Sequence, residues 1–386
     1  MNAISSIMKQ GNGKKILTIA PYTFLPANSG GQRAIYYLDQ HLGMHSDLLC
    51  ISTNENDTSY MQAPLHFRLL PTLGSGIRRY INPLNLWKVK KLIRSNDIQT
   101  IVIEHPYMGW LGWLLKITMG IPLVVRSHNI EALRFKELGK WWWRILADYE
   151  RWVHKKASHS FFITQEDADY AVKTYGINPA DTSVITYGIE SLMAPTPEQK
   201  LKAATSFKEK YQIDQRKTLL LFNGIFGYAP NDSALQLLIE EIIPELLATD
   251  PSFHLILCGK NIAEKFISLK NESITVLGFV EDIQEVFLAA EIFLNPIWQG
   301  GGIKTKLVEA LAKGSAAVSF ESGAIGIDPE LLEGKLKLVP NLNTQLFIEA
   351  VQEVKSAVYK PTPKAFLDYF DWDQIARKAL YSIRGL

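Results

Sequence analysis

Short apolar runs alternate along this chain with longer segments whose apolar positions recur at helical spacing, the pattern of parallel strands covered by helices. Six runs come first, at 16–20, 48–51, 100–103, 123–125, 161–164 and 184–186. Five follow, at 219–222, 255–258, 274–277, 292–294 and 316–319. Between the sets lies a polar, lysine-rich stretch, 191–217, with Pro195 and Pro197 near its start, which reads as the domain boundary. The pattern predicts an α/β protein of two tandem Rossmann-like domains, 1–190 and 191–365, with the carboxyl ends of both strand sets facing a central cleft. The last segment, 366–386, holds one further helix, with Asp371 as N-cap, Gln374 at N3, and Phe370 and Ile375 as a hydrophobic staple.

Length agrees with this division, because 386 residues exceed the ~250–300 that one hydrophobic core usually serves. With 47 % hydrophobic and 21 % charged residues, the composition is that of a folded globular protein. The N-terminus, MNAISSIMKQGNGKK, is basic without an apolar core, and no run approaches the ~20 apolar residues of a spanning helix. These features predict a cytoplasmic protein. Cys50 and Cys258 lie in apolar strands without metal-ligand spacing, so both read as reduced core residues.

Net charge is only +2, yet residues 1–190 carry 21 Lys and Arg against 15 Asp and Glu, while 191–386 carry 20 against 24. Part of the basic surplus is Arg78, Arg79, Lys88, Lys90, Lys91 and Arg94, on and before a helix expected at 83–95 beside Leu86, Trp87, Val89 and Ile93. A solvated helix face is one reading; an anionic acceptor or peripheral membrane contact through the N-terminal domain is the other. The run 107–115, with Trp110 and Trp113, and the triplet Trp141, Trp142 and Trp143 pose the same choice, with core preferred. Nothing in the pattern calls for nucleic acid.

Candidate chemistry falls in the loops that follow strands. After the first strand, Gly30 and Gly31 suit a backbone that approaches another group closely near a helix N-terminus, although an ordinary tight turn would also use them. Between Pro21 and Arg33 there is no Asp, Glu or His, so the loop offers no base for an inverting transfer; it favours a retaining one, or a base elsewhere. The 123–125 strand is followed by Ser127, His128, Asn129 and Glu131. The sharpest segment runs from Asn295 and Pro296 through Gly300, Gly301 and Gly302 into a helix expected at 303–313. Its amides and helix N-terminus suit a diphosphate, with Lys304 and Lys306 adding charge. Ile303, Leu307, Ala310 and Leu311 would be buried there, with Thr305 and Glu309 on the opposite face. Glu309 can hold a ribose diol, or be a solvated glutamate paired with Lys306 or Lys313. The Asp371-Trp372-Asp373 triplet has the Asp-x-Asp form of metal-dependent transferases, but it opens a terminal helix instead of following a strand.

In order and spacing, SGG at 29–31, RSHNIE, DYERWVHKKASHSFFITQED, ITYGIE, FNGIFGYAPN, LGFVEDI and PIWQGGGIKTKLVEALAKG resemble the retaining GT-B glycosyltransferases of family four and their relatives in bacterial polysaccharide and glycoconjugate assembly. The resemblance runs over most of the chain. It implies a second domain that holds the nucleotide, a first that holds the acceptor, and a last helix that crosses back to the first. It implies ribose binding by Glu309, diphosphate binding by Lys304 and the amides of Gly301 and Gly302, and base binding at Phe279 and Val280. Asn223, Gly224, Asn231, Lys260, Gln299, Gly300, Ile303 and Thr305 would line the donor site. His128 would point at the sugar, with Gly30 and Gly31 against the phosphates and acceptor. Two motifs depart from the family: the first carboxylate of a Glu-x(7)-Glu pair is Gly301 here, and the Arg-x(4)-Lys clamp is missing from FGYAPN.

The activity implied is metal-independent, retaining transfer of a hexose-type sugar from a UDP- or GDP-sugar to a glycan, lipid-linked or polysaccharide acceptor. It needs no cofactor. A GT-B nucleotide-sugar epimerase, or a non-catalytic sugar-nucleotide-binding subunit, are the alternatives.

Overall fold

The structure, a computed structural model, describes residues 14–386 except 60, 62, 191–192, 268–270 and 358. The N-terminal stretch before Lys14, and the start of the proposed boundary segment, lie outside the described residues.

Two parallel sheets organise the chain. The first contains β1 (Lys15–Ile19), β2 (Asp47–Ser52), β3 (Arg68–Pro71), β4 (Thr100–Glu104), β5 (Leu123–Ser127), β6 (His159–Phe162) and β7 (Thr182–Val184), in the order β3-β2-β1-β4-β5-β6-β7. The second contains β8 (Thr218–Ile225), β9 (Phe253–Lys260), β10 (Ile274–Gly278), β11 (Ile292–Asn295), β12 (Ala316–Phe320) and β13 (Leu336–Val339), ordered β10-β9-β8-β11-β12-β13. The central strands are buried on both faces, which is why they read as unbroken apolar runs. Strand order reverses between β1 and β4 in one sheet and between β8 and β11 in the other, and such switch points are where parallel sheets bind ligands. Cys50 and Cys258 are buried, and neither is in a disulfide.

Helices α1 (Gly30–His45), α2 (Leu84–Asn96), α3 (Gly109–Met119), α4 (Glu131–Glu137) and α5 (Trp143–Lys156) accompany the first sheet. Val89 and Ile93 of α2, Leu111 and Leu115 of α3 and Val153 of α5 share one core with alternate residues of β1, β2, β4 and β5, so these helices form one layer on one face. The apolar stretch at 107–115 is therefore core. Trp141, by contrast, is 82 % exposed.

Edge strands β3 and β13 have no counterpart among the predicted strands. The polar stretch 191–217 is also more than a boundary: its larger part is the helix Pro197–Lys210, opened by a Thr196/Gln199 capping box. Ala204 and Phe207 enter the core of the second sheet. Lys200 is buried, and its ammonium donates to the Ala290 and Phe287 carbonyls at 2.5 and 3.4 Å.

One compact unit runs to Gly188 and resumes at Trp372–Leu386; the other is Ile189–Asp371. The terminal helix Trp372–Arg384 packs along α1 in the first unit. Its Trp372 is 1 % exposed, stacks on Tyr37 and meets Tyr187 edge-on. Gly188 lies against the indole: a Cβ there would stand 2.4 Å from a ring carbon. Asp373 Oδ1 is 2.5 Å from His45 Nε2, and Oδ2 accepts from Arg377 Nε at 2.7 Å. The Asp-x-Asp triplet thus opens a packed helix. Phe370, expected to staple onto Ile375, packs on Phe366 within the core of the second unit.

Candidate active site

In the first unit the loop after β1 leads to Ser29, which caps α1 in a full capping box with Gln32. Gly30 and Gly31 are thus the first two residues of the helix, not a tight turn. Gly31 is small for a reason: a Cβ would lie 3.2 Å from the Tyr22 hydroxyl and 3.8 Å from His128 Nδ1. Loop, helix start and His128 therefore meet.

His128 follows β5 and is 6 % exposed. Its Nε2 lies 2.7 Å from Glu104 Oε2, at the end of β4. Glu104 also accepts from Arg126 Nη1 at 3.1 and 3.2 Å, and the two are register partners across β4 and β5. Opposite a guanidinium, the Glu104 carboxylate can only accept, so His128 Nε2 carries the proton and Nδ1 is left as an acceptor. That Nδ1 is buried and has no partner among the described residues. Burial, and then the Arg126 charge, hold the His128 pKa well below its ordinary value. The ring is neutral.

His105 tilts against His128 with centroids 4.1 Å apart, stacks on Tyr107, and meets the Tyr22 hydroxyl at 2.9 Å through Nε2. Its φ is positive, at 66°, with ψ at 150°, which costs energy in a residue with a Cβ. Burial, reinforced by His128, lowers its pKa to about 3. Glu131, fully buried, accepts from Arg134 at 2.9 Å and from Asn129 at 3.4 Å. Sequence reasoning named His128 but missed Tyr22, Glu104 and His105. The signal was present for two of them, since Glu104-His105 ends the β4 run as Ser127-His128 ends β5.

In the second unit the implied donor residues gather at the carboxyl ends of β8, β9, β10 and β11. Asn223 is buried with Oδ1 unpartnered among the described residues. Gly224 carries Asn231 close above it, and Asn231 Nδ2 donates to the Ile225 carbonyl at 2.8 Å, so that side chain props the loop. Lys260 Nζ stands 4.7 Å over the ring of Phe279, which is 63 % exposed, while Val280 packs against the core. Gln299 is exposed.

Gly300 and Gly302 are both left-handed, at φ 82° and 72°, and Gly301 faces open space. A Cβ on Gly300 would lie 3.0 Å from the Tyr228 hydroxyl, which joins this loop to the one after β8. The following helix begins at Thr305, later than expected, and ends at Ala312. Ile303 precedes it, half-buried against the core. Lys304 occupies the N-cap position, and its ammonium donates to the carbonyls of Gly300, Gly301 and Gly302 at 2.6, 3.2 and 3.1 Å. No side-chain hydrogen bond caps the first turn. Glu309 accepts from Lys306 at 3.2 Å, yet its side chain is only 10 % exposed, so it is a paired but not a solvated glutamate. Among the described residues no group of three or more His, Cys, Asp or Glu is arranged to hold a metal ion.

Two parallel sheets in tandem, with the final helix returned to the first, are the GT-B architecture of nucleotide-sugar glycosyltransferases. The model for Glycosyltransferase Family 4 matches residues 29–191 and that for Glycosyl transferases group 1 matches 217–356, together most of the chain. The chain belongs to the group 1 glycosyltransferases. It is 21 % identical over 326 residues to the alpha-maltose-1-phosphate synthase of Mycolicibacterium smegmatis, covering 75 % of this chain and 80 % of that one. A glycosyltransferase from Rickettsia africae superposes with a TM-score of 0.71 at 14 % identity, over 97 % of this chain and 99 % of its own. Anabaena Alr3699/HepE in complex with UDP-glucose superposes at 0.68 and 16 %, over 96 % and 100 %. At these identities the two structures share the fold.

Proposed function

We propose that this glycosyltransferase moves a hexose-type sugar from a UDP- or GDP-sugar to a glycan, lipid-linked or polysaccharide acceptor, in the cytoplasm, with retention of anomeric configuration and without a metal ion. The observation that carries the reading is the Gly300–Gly302 loop ahead of the uncapped helix Thr305–Ala312. Amides of such a first turn, with about half a unit of positive charge from the helix dipole, suit a diphosphate. Lys304 adds a full charge at the same place. Phe279 offers a face for the base, Lys260 a cation beside it, and Glu309 a nearly buried carboxylate for a ribose diol. The Anabaena neighbour's UDP-glucose supports a UDP-sugar.

Retention rests on His128. A carboxylate–imidazole pair with a bare Nδ1 has the shape of a general base, which is the inverting reading. Yet a base must hold the proton it takes, and burial beside Arg126 disfavours imidazolium here. His128 is better suited to accept a hydrogen bond from a sugar hydroxyl. The acceptor oxygen then bonds to the anomeric carbon on the face from which the diphosphate leaves, and its proton passes to a phosphate oxygen. Independence from metal is supported by how the carboxylates of each unit are engaged: Glu104 by Arg126 and His128 and Glu131 by Arg134 in the first, Glu309 by Lys306 in the second.

The test is NMR of the fresh product from UDP- or GDP-hexose and an acceptor panel, with and without EDTA. An inverted anomer overturns retention. Loss of transfer in EDTA, restored by magnesium or manganese, overturns metal independence. Conversion of donor without acceptor identifies an epimerase, and binding without turnover a non-catalytic subunit.

A further inference from the structure

The surface between β3 and the middle of α2 is not finished as a water-facing surface. Ile77, Ile81, Leu84 and Trp87 are 83, 76, 64 and 70 % exposed, four large apolar side chains within eleven residues. On α2, Leu84, Trp87, Lys88 and Lys91 recur at i, i+3, i+4 and i+7, so apolar and basic residues share one stripe, and all four are exposed. Val89 and Ile93 on the opposite side are buried, so the stripe is not misplaced core. From 58 through 96 the chain has seven Lys and Arg and neither Asp nor Glu.

We infer that this surface, Ile77 to Arg94, docks the protein on an anionic lipid membrane, with the four apolar side chains entering the headgroup region and Lys88, Lys91 and Arg94 meeting lipid phosphates. Charge complementarity selects that occupant: a run without acids repels no lipid phosphate, and exposed Trp and Ile beside Lys and Arg is the composition of interfacial segments. A second exposed apolar pair, Trp141 and Ile145, lies beside exposed Lys140 and Arg144 where α5 begins. Because α2, α3 and α5 each lead into the next parallel strand, their N-termini lie at the carboxyl edge of the sheet, the edge that carries His128.

The surface is also tied to the site within this unit. Arg79 Nε donates to the Pro21 carbonyl at 2.6 Å, in the loop after β1, and Trp110 Nε1 donates to the Tyr80 carbonyl at 2.6 Å. The Tyr80 ring meets Tyr107 edge-on, and Tyr107 stacks on His105. A membrane held at Ile77–Arg94 would thus lie beside the loop assigned to the acceptor, which favours the lipid-linked acceptor among those proposed above. The docking itself is measured without any sugar nucleotide, so it stands or falls apart from the donor and the stereochemistry.

The experiment is vesicle co-sedimentation of the full chain with phosphatidylcholine alone and with phosphatidylcholine plus phosphatidylglycerol. Binding should need the anionic lipid and weaken with added salt. Lys88→Glu, Lys91→Glu and Arg94→Glu together should cut partitioning ~100-fold or more. Ile81→Ser with Trp87→Ser should cut it ~10-fold or more at unchanged charge. All five positions are exposed, and unchanged thermal melting of the variants confirms that they fold. Equal partitioning of wild type and both variants overturns the assignment. So does binding of duplex RNA without binding of vesicles, which makes the patch a nucleic-acid surface, or concentration-dependent dimerisation lost in Trp87→Ser, which makes it a contact between copies.

Discussion

Lys304 donates to three successive carbonyls of its own loop, and two of those glycines have left-handed backbones. The ammonium therefore both shapes the loop and stores positive charge where a diphosphate would arrive. Lys304→Ala should lower kcat/KM by ~100-fold, about 2.7 kcal/mol of lost leaving-group stabilisation, with the melting temperature little changed. Steady-state kinetics decide it; a loss below threefold would leave the lysine as a loop staple only. Glu309 poses a sharper choice. As a ribose ligand it makes charge-assisted hydrogen bonds worth roughly 1.5–3 kcal/mol, so Glu309→Gln should weaken nucleoside diphosphate binding ~10- to 100-fold by calorimetry. As the helix partner of Lys306 it is worth at most ~0.5 kcal/mol, and the affinities would be equal. Sequence spacing put Glu309 opposite the buried face but could not reveal that its side chain is nearly buried. Glu104 stayed hidden for a related reason: its meaning comes from Arg126 and His128, about two dozen positions away and brought beside it only by strand pairing.

Elements were legible in proportion to their burial. The doubly buried strands appear as apolar runs, whereas β3 and β13 are short edges, RLLP and LKLV, whose mixed exposure leaves no pattern in so few residues. The lysine-rich segment misled for the opposite reason, since Lys200 is buried with its ammonium on carbonyls and hydropathy counts it as surface. The terminal helix was legible, but not how firmly it is held. Trp372→Ala removes a buried indole from between Tyr37, Tyr187 and Gly188, and should cost ~3–5 kcal/mol in denaturant unfolding. A loss under ~1 kcal/mol would mean the helix rests loosely on α1.

At the scale of the molecule, the two units are unequal in how they are made from the chain. Ile189–Asp371 is continuous and contains its whole sheet, whereas the other unit needs two separate segments. Expressed alone, 189–371 should unfold cooperatively in urea. Residues 1–188 alone should aggregate or melt without a transition, and joining 372–386 to them through a flexible linker should restore one. A cooperative transition in 1–188 without the helix would refute this dependence. The same arrangement bears on synthesis. At ~5–20 residues per second, the roughly 200 residues after Gly188 take ~10–40 s to translate, and throughout that interval α1 waits on the ribosome without the helix that covers it. The second unit can fold as it emerges, while the first is completed last, after it began first. For that interval the uncovered flank of α1 is a substrate for chaperones and proteases, so slow translation of the final third should lower the yield of this protein more than slow translation of its beginning.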